Sequence, residues 1–233
     1  MSSLVRLLFG RSLNYSFAFA GEDRVIIRML RPLIGRRGYY VDVGCNHPKF
    51  LSNTYSLYRR GWRGICIDAN QRLVDKFGFY RPRDLAVCAL ISDLDGPRTF
   101  YNIQNNVLST TEEQNIQSYA NEGLSVVPAE MQAQTLTEVL EQAGAPKNFD
   151  LLNIDVEEHD LEALRSLNLS KYKPRLIVVE DETFDPHRSA DNPICLYLSE
   201  HGYRLEGFVI KNLYFMSEPD PPTHRDTKKE NIP

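Results

Sequence analysis

Four carboxylates open the chemistry this chain could do: Asp42, Asp68, Asp155 and Glu180, each at the end of a short apolar run of the kind that forms a buried strand. One carboxylate at a strand end is ordinary. Several on the same edge of a sheet form a constellation that can accept hydrogen bonds from the hydroxyl and amino groups of a polar ligand. The turn after the first of them reads Asp42-Val43-Gly44-Cys45-Asn46-His47-Pro48. It allows one close backbone approach, at Gly44, but lacks G-x-G-x-x-G. His47 and Pro48 stand where a pyrophosphate would require glycines. A nicotinamide dinucleotide is therefore disfavoured, and a reductase with it. A nucleoside without phosphates needs only Gly44 and a carboxylate for its ribose hydroxyls, and Asp68 ends the next strand in the right place for that. Asp42, at the expected switch point, is assigned to the same ligand.

The elements that must position these groups follow from the hydrophobic pattern. Val25, Ile26, Met29 and Leu30 have helical spacing behind Gly21-Glu22-Asp23, giving a lead-in helix. Tyr39 to Gly44 is a strand and turn. Ser52 is placed to cap a helix carrying Tyr55, Leu57 and Tyr58, Gly61 stops it, and Trp62 to Asp68 is a second strand. Further along come a helix over 73–79, a strand over 85–91, a turn at Asp95-Gly96 and a strand near 99–103. Thr135 to Glu138 has the form of a capping box ahead of Leu136, Val139 and Leu140. Phe149 to Asp155 and Leu176 to Glu180 are strands separated by a helix with Leu161, Leu164 and Leu167 on one face. A helix near 194–201 and two strands joined near Gly207 complete the pattern. Strands alternating with helices predict one doubly wound, mostly parallel α/β sheet with helices on both faces. Residues 1–38 form the helical lead-in and 39–216 the domain. Positions 105–132, polar and without a period, are read as a mobile insertion or lid, and 217–233 as a tail with nothing to bury.

Bulk properties narrow the partners. The 233 residues carry 27 Lys plus Arg against 31 Asp plus Glu, a net charge of -4, and no basic run dominates, so a nucleic-acid partner is not expected. The apolar stretch Leu4 to Phe9 is broken by Arg6 and too short to span a bilayer, so neither membrane insertion nor secretion is expected. The four cysteines, Cys45, Cys66, Cys88 and Cys195, form no CxxC pair and read as reduced thiols of a cytoplasmic protein rather than a zinc site. Trp62 reads as core rather than as a platform for adenine.

The segments Gly21-Glu22-Asp23, Tyr40 to Gly44, His47-Pro48, Ser52-Asn53-Thr54, Gly61 to Ile65 and Asp150 to Glu157, in that order between about 14 and 216, resemble the FkbM family of methyltransferases. The resemblance implies a Rossmann-like class I methyltransferase fold of about seven strands. It also implies S-adenosyl-L-methionine as methyl donor and O-methylation of a sugar, glycan or natural-product hydroxyl. Carried onto the matching segments, the candidate cofactor-binding residues are Glu22, Asp42, Gly44, Asn46, Ser52, Asp68, Ala69 and Asp155. One departure stands out: Glu158 occupies a position where the family commonly has glycine.

A sulfonium is an activated leaving group, so such an enzyme must align the acceptor with the methyl and manage one proton. The candidates for that work are Asp155 and His159, with Glu157 beside them. Each has a plainer reading, because carboxylates ahead of a helix are stabilised by its dipole whatever their chemistry. Asp155, Glu157, Glu180 and Asp181 are also hard oxygen ligands of the type magnesium takes, although nothing in their spacing requires a metal. A rival reading from a different class is a catalytically silent nucleoside-binding module, motivated by Glu158. Acceptor identity and oligomeric state are not legible.

Overall fold

Short apolar β-branched runs give the strands, and amphipathic segments between them give the helices. The structure, a computed structural model, describes residues 15–94, 96–103, 109–110, 126–157 and 159–218. In chain order the helices and strands are α1 (Glu22–Met29), β1 (Tyr39–Val43), α2 (Tyr55–Tyr58), β2 (Arg63–Asp68), α3 (Gln71–Tyr80), β3 (Leu85–Cys88), β4 (Leu90–Ile91), β5 (Gly96–Ile103), β6 (Ser109–Thr110) and β7 (Val126–Gln134). They continue with α4 (Leu136–Gln142), β8 (Leu151–Ile154), α5 (Asp160–Arg165), β9 (Leu176–Glu180), α6 (Pro193–Glu200), β10 (Tyr203–Val209) and β11 (Asn212–Ser217).

The main sheet has seven strands in the order β10-β11-β9-β8-β1-β2-β3, parallel from β9 to β3 and closed by the antiparallel β10–β11 hairpin. This is the Rossmann-like class I methyltransferase arrangement. The strand order reverses between β1 and β8, and the crevice of such a sheet opens beyond the carboxyl ends at that point. Alternation along the strands sends Val41, Ile65, Leu152 and Ile177 to one face, where α4, α5 and α6 cover them with Leu136, Leu140, Leu164 and Leu198. Tyr40, Cys66, Leu151 and Val178 go to the other face, against Ile26 of α1, Leu57 of α2 and Phe77 of α3. Strands buried on both faces need apolar residues at successive positions, which is why their sequences are runs rather than alternations.

Local signals act as expected at several boundaries. The capping box is formed, with Glu138 N donating to Thr135 Oγ1 at 3.2 Å and Thr135 N to Glu138 Oε2 at 2.9 Å. Asn192 caps α6 through Ile194 N and Cys195 N. Trp62 is fully buried, and its ring packs so tightly on Gly38 that a Cβ there would fall 2.5 Å from it. All four cysteines are free thiols.

Elsewhere the structure departs from the sequence pattern. The apolar run 85–91 is two strands, not one: β3 ends at Cys88, and β4 leaves to pair with β7 in a second sheet of order β4-β7-β5-β6. Within the polar stretch, Val126 to Gln132 belongs to β7, which pairs antiparallel with β5 along its length; 105–108 and 111–125 lie outside the described residues. Gly207 is not the hairpin turn but sits at a register shift within β10, and the turn falls at Ile210-Lys211, with Ile210 at φ +55°. Ser217 is still paired in β11. Positions 95, 158 and 219–233 are outside the described residues, so the Asp95 turn, Glu158 and the tail beyond Glu218 are not characterised.

Candidate functional site

Where β1 turns away from the sheet, Gly44 N and Cys45 N both donate to Ile67 O, at 2.9 and 3.0 Å, so the turn rests on β2. Gly44 is at φ +74°, and a Cβ there would fall 1.6 Å from the carbonyl oxygen of Asp155. The turns after β1 and β8 therefore meet at a point where no side chain fits. Asn46 follows in the left-handed region at φ +48°. Its N–H donates to Asp68 Oδ2 at 2.8 Å, while Asn70 N donates to Asp68 Oδ1 at 2.8 Å. Each carboxylate oxygen thus has one backbone partner and retains lone pairs for a ligand. Burial pushes the Asp68 carboxyl up to about 6, against the pull of those two amides.

These residues line a crevice bounded by the two sheets. Gly44, Asn46, Asp68, Ala69 and Asp155 form one side of it, Glu157 and His159 another, and Leu73, Ala89, Leu90, Ile91 and Phe100 an apolar wall. His159 Nδ1 lies 3.4 Å from Glu162 Oε1. Sequence reasoning missed the wall. Leu90, Ile91 and Phe100 come from the second sheet, and their apolar character alone did not distinguish them from core.

Beyond the crevice floor the acids are packed together. Carboxylate oxygens of Asp155, Glu157 and Glu180 lie within 4.8 Å of one another. Glu180 is 2% exposed, and Lys211 Nζ reaches its Oε1 at 2.5 Å and Glu182 Oε1 at 3.0 Å. Burial and the adjacent Glu180 carboxylate hold the Asp155 carboxyl well above the usual carboxylate range. Asp160, which accepts from Val156 N at 3.1 Å, is pushed up to about 8, chiefly by burial. Asp181 is turned elsewhere, to Thr183 and to Asn192 Nδ2 at 2.6 Å.

Three of the candidate cofactor residues do not reach the crevice. Asp42 shares a face of β1 with Tyr40, because side chains alternate. It is 2% exposed, accepting from Thr54 Oγ1 at 2.5 Å and Asn153 Nδ2 at 2.9 Å. Ser52 Oγ accepts from Tyr55 N at 3.1 Å and is buried. Glu22 is buried too, holding Ala20 N at 2.7 Å. His47 Nδ1 accepts from Lys49 N and Phe50 N, closing a turn outside the crevice.

Asp42 and Ser52 belong to a buried polar network centred on Arg81, a residue no motif marked. Arg81 is 0% exposed, and its guanidinium donates to Asp84 Oδ2 at 2.7 Å, Tyr40 Oη at 2.8 Å and Thr54 Oγ1 at 3.0 Å. Asn53 Nδ2 completes the chain by donating to Asn153 Oδ1 at 3.0 Å. The network ties α3, β1, β8 and the segment 48–54 into one body. Through Asp42 it anchors the end of β1 from which the Gly44 turn departs.

Several solved structures are similar. A TehB-like SAM-dependent methyltransferase from Corynebacterium glutamicum is 15% identical, with 92% of this chain and 95% of that chain covered, at a TM-score of 0.45. A precorrin-6y C5,15-methyltransferase from Geobacter metallireducens is 13% identical, covering 88% and 91%, at 0.44. A protein described as a putative RNA methyltransferase from Pyrococcus horikoshii is 9% identical, covering 84% and 83%, at 0.43. No curated protein matches. Residues 42–205, from the Gly44 turn through β8 and β9 to β10, match the methyltransferase FkbM domain, and the chain belongs to the FkbM methyltransferase family.

Proposed function

We propose that this protein transfers the methyl group of S-adenosylmethionine to a hydroxyl of a sugar, glycan or other natural product. The observation that carries the reading is Asp68, half-buried at the end of β2, facing an open crevice between the Gly44 turn and an apolar wall. The residues fit the cofactor. Asp68 has acceptor capacity left for two ribose hydroxyls, and Ala69, Leu73, Leu90, Ile91 and Phe100 offer a flat apolar slot for a purine.

When bound, S-adenosylmethionine supplies a methyl already activated by its sulfonium. Asp155, Glu157 and His159 line the other side of the crevice, where they would orient the acceptor hydroxyl. Between the two candidate bases, Asp155 and His159, the role is assigned to His159. Burial and the neighbouring Glu180 carboxylate raise the Asp155 carboxyl, and Asp155 is assigned to orient the acceptor. His159, whose Nδ1 lies 3.4 Å from Glu162 Oε1, would take the hydroxyl proton.

Lys211 Nζ, 2.5 Å from Glu180 Oε1, supplies a cation beside the acidic cluster. The reaction is proposed to be metal-independent, with the Lys211 ammonium taking the place of an ion beside the acids. The protein is proposed to act in the cytoplasm, on the ground of its four free thiols; among the described residues no helix is long and apolar enough to cross a membrane.

Titration calorimetry with S-adenosylmethionine and its demethylated product is the first test. Absence of heat with folded protein removes the reading. A radiolabelled-donor screen over sugars, glycans and polyketide-like alcohols then identifies the acceptor, and turnover insensitive to chelator supports the metal-independent route.

A further inference from the structure

The amino edge of the same sheet, at the end of the molecule remote from the crevice, is basic. Where β1, β2, β8 and β9 begin, a groove of about 1680 Å³ is walled by Arg36, Arg37, Arg63, Arg83, Lys173 and Arg175. This runs against the chain's net charge of -4. Two of the six are engaged within the fold: Arg36 pairs with Asp150 at 2.7 Å, and Arg83 donates to Tyr58 O at 2.6 Å. Arg37, Arg63, Lys173 and Arg175 are exposed and make no ion pair with a described residue. The backbone beneath three of them is nevertheless fixed, since Arg63 N donates to Gly38 O at 3.3 Å, Lys173 N to Lys147 O at 2.8 Å and Arg175 N to Phe149 O at 3.0 Å. These four side chains stand around a concavity with no ion-pair partner among the described residues.

We propose that this groove docks an acidic segment of a partner protein, a run of aspartate and glutamate side chains paired with Arg37, Arg63, Lys173 and Arg175. Guanidinium forks bind carboxylates in two-pronged fashion, so arginine-rich walls give register as well as attraction. Of the apolar residues of the groove, Phe149, Leu169 and Tyr203 are at most 5% exposed, and Tyr39 and Met216 are partly exposed. No large apolar side chain projects from the groove, as interfacial binding to a bilayer requires. The carboxylates of Asp150 and Glu218 also line it. Asp150 is already engaged by Arg36 Nη2 at 2.7 Å and Tyr39 N at 3.0 Å, so the four exposed cations are left for an incoming carboxylate.

The inference does not depend on methyl transfer, and its test is separate. Anisotropy of a labelled peptide of about a dozen alternating Glu and Asp residues, titrated with the full chain, should show binding that weakens about tenfold or more between roughly 50 and 300 mM salt. Arg63→Glu combined with Arg175→Glu should weaken it by about another tenfold, and Arg37→Glu alone by severalfold, with urea midpoints unchanged because these side chains are exposed. Failure of the peptide to bind, or equal binding by the charge-reversed chain, overturns the proposal. So does tighter binding of a mixed-sequence single-stranded RNA of equal charge, or of vesicles containing phosphatidylserine.

Discussion

At the carboxyl edge of the sheet Asp68, Asp155, Glu157 and Glu162 gather around a crevice, whereas at the amino edge Arg36, Arg37, Arg63, Arg83, Lys173 and Arg175 surround a groove. In a parallel α/β sheet the helices start near the first edge and end near the second. Their dipoles favour acids at one and bases at the other by about 0.3–1 kcal/mol per side chain. That common bias does not explain the difference in burial. Asp68, Asp155 and Asp160 are raised by burial, while Arg37, Arg63, Lys173 and Arg175 stay in water. Placing carboxylates out of water costs stability and gains little unless a ligand completes their hydrogen bonds. Solvated cations cost almost nothing to hold. The acidic edge should therefore couple to stability and binding alike, and the basic edge to association only.

The largest effect is expected beneath the acidic edge. Arg81→Met leaves Asp84 as a buried unpaired charge and the Tyr40 and Thr54 hydroxyls short of a partner, so urea denaturation should show a loss of about 3–5 kcal/mol. A loss under about 1 kcal/mol would mean that the network is not holding the segment 48–54. Gly44→Ala should follow, with a loss of about 2 kcal/mol or more and no calorimetric heat with S-adenosylmethionine, because the turns after β1 and β8 must separate to admit the methyl group. Retained binding in that variant would break the assignment of the crevice to the cofactor.

Asp68→Ala is expected to weaken S-adenosylmethionine by about 100-fold through loss of two charge-assisted hydrogen bonds, with Asp68→Asn between the two. Calorimetry on folded protein decides it, and unchanged affinity would remove Asp68 from the ribose role. The pH dependence sharpens the contrast further. Asp68 and Asp160 titrate at about 6 and about 8 in the fold. In the unfolded chain they titrate near about 4. The native state then binds more protons across that interval, so stability falls as pH rises from about 4 to about 8 and levels off beyond. Urea midpoints across that range should show the slope, and Asp160→Asn should flatten its upper half. The smallest effect belongs to the basic edge: Arg63→Glu and Arg175→Glu should each change stability by no more than about 0.5 kcal/mol and leave cofactor affinity alone.

The legible part of the site was the part whose role depends on the backbone path. Gly44 and Asp68 stand at the ends of neighbouring parallel strands whatever packs around them, and both line the crevice. Asp42 and Ser52 carried the right chemistry at plausible positions, yet alternation along β1 and the pull of Arg81 turned them into the fold. Arg81 itself lies at the end of an exposed-looking helix, with no pattern to mark an arginine that would be fully buried. Lys211 was equally silent, since it meets Glu180 only because β11 pairs antiparallel with β9.

Local pattern determined the alternation of strands and helices, the capping box at Thr135, the glycine turn after β1 and the carboxylates that end the strands. These are short-range properties, fixed by period, propensity and the few residues that tolerate a left-handed backbone. Tertiary structure decided which carboxylates face the crevice, which are buried beside one another, that the run 85–91 divides between two sheets, and that scattered arginines converge on one edge. Each of those depends on pairing between residues far apart in the chain, and burial, which sets the energy of a charge, exists only once that pairing is complete.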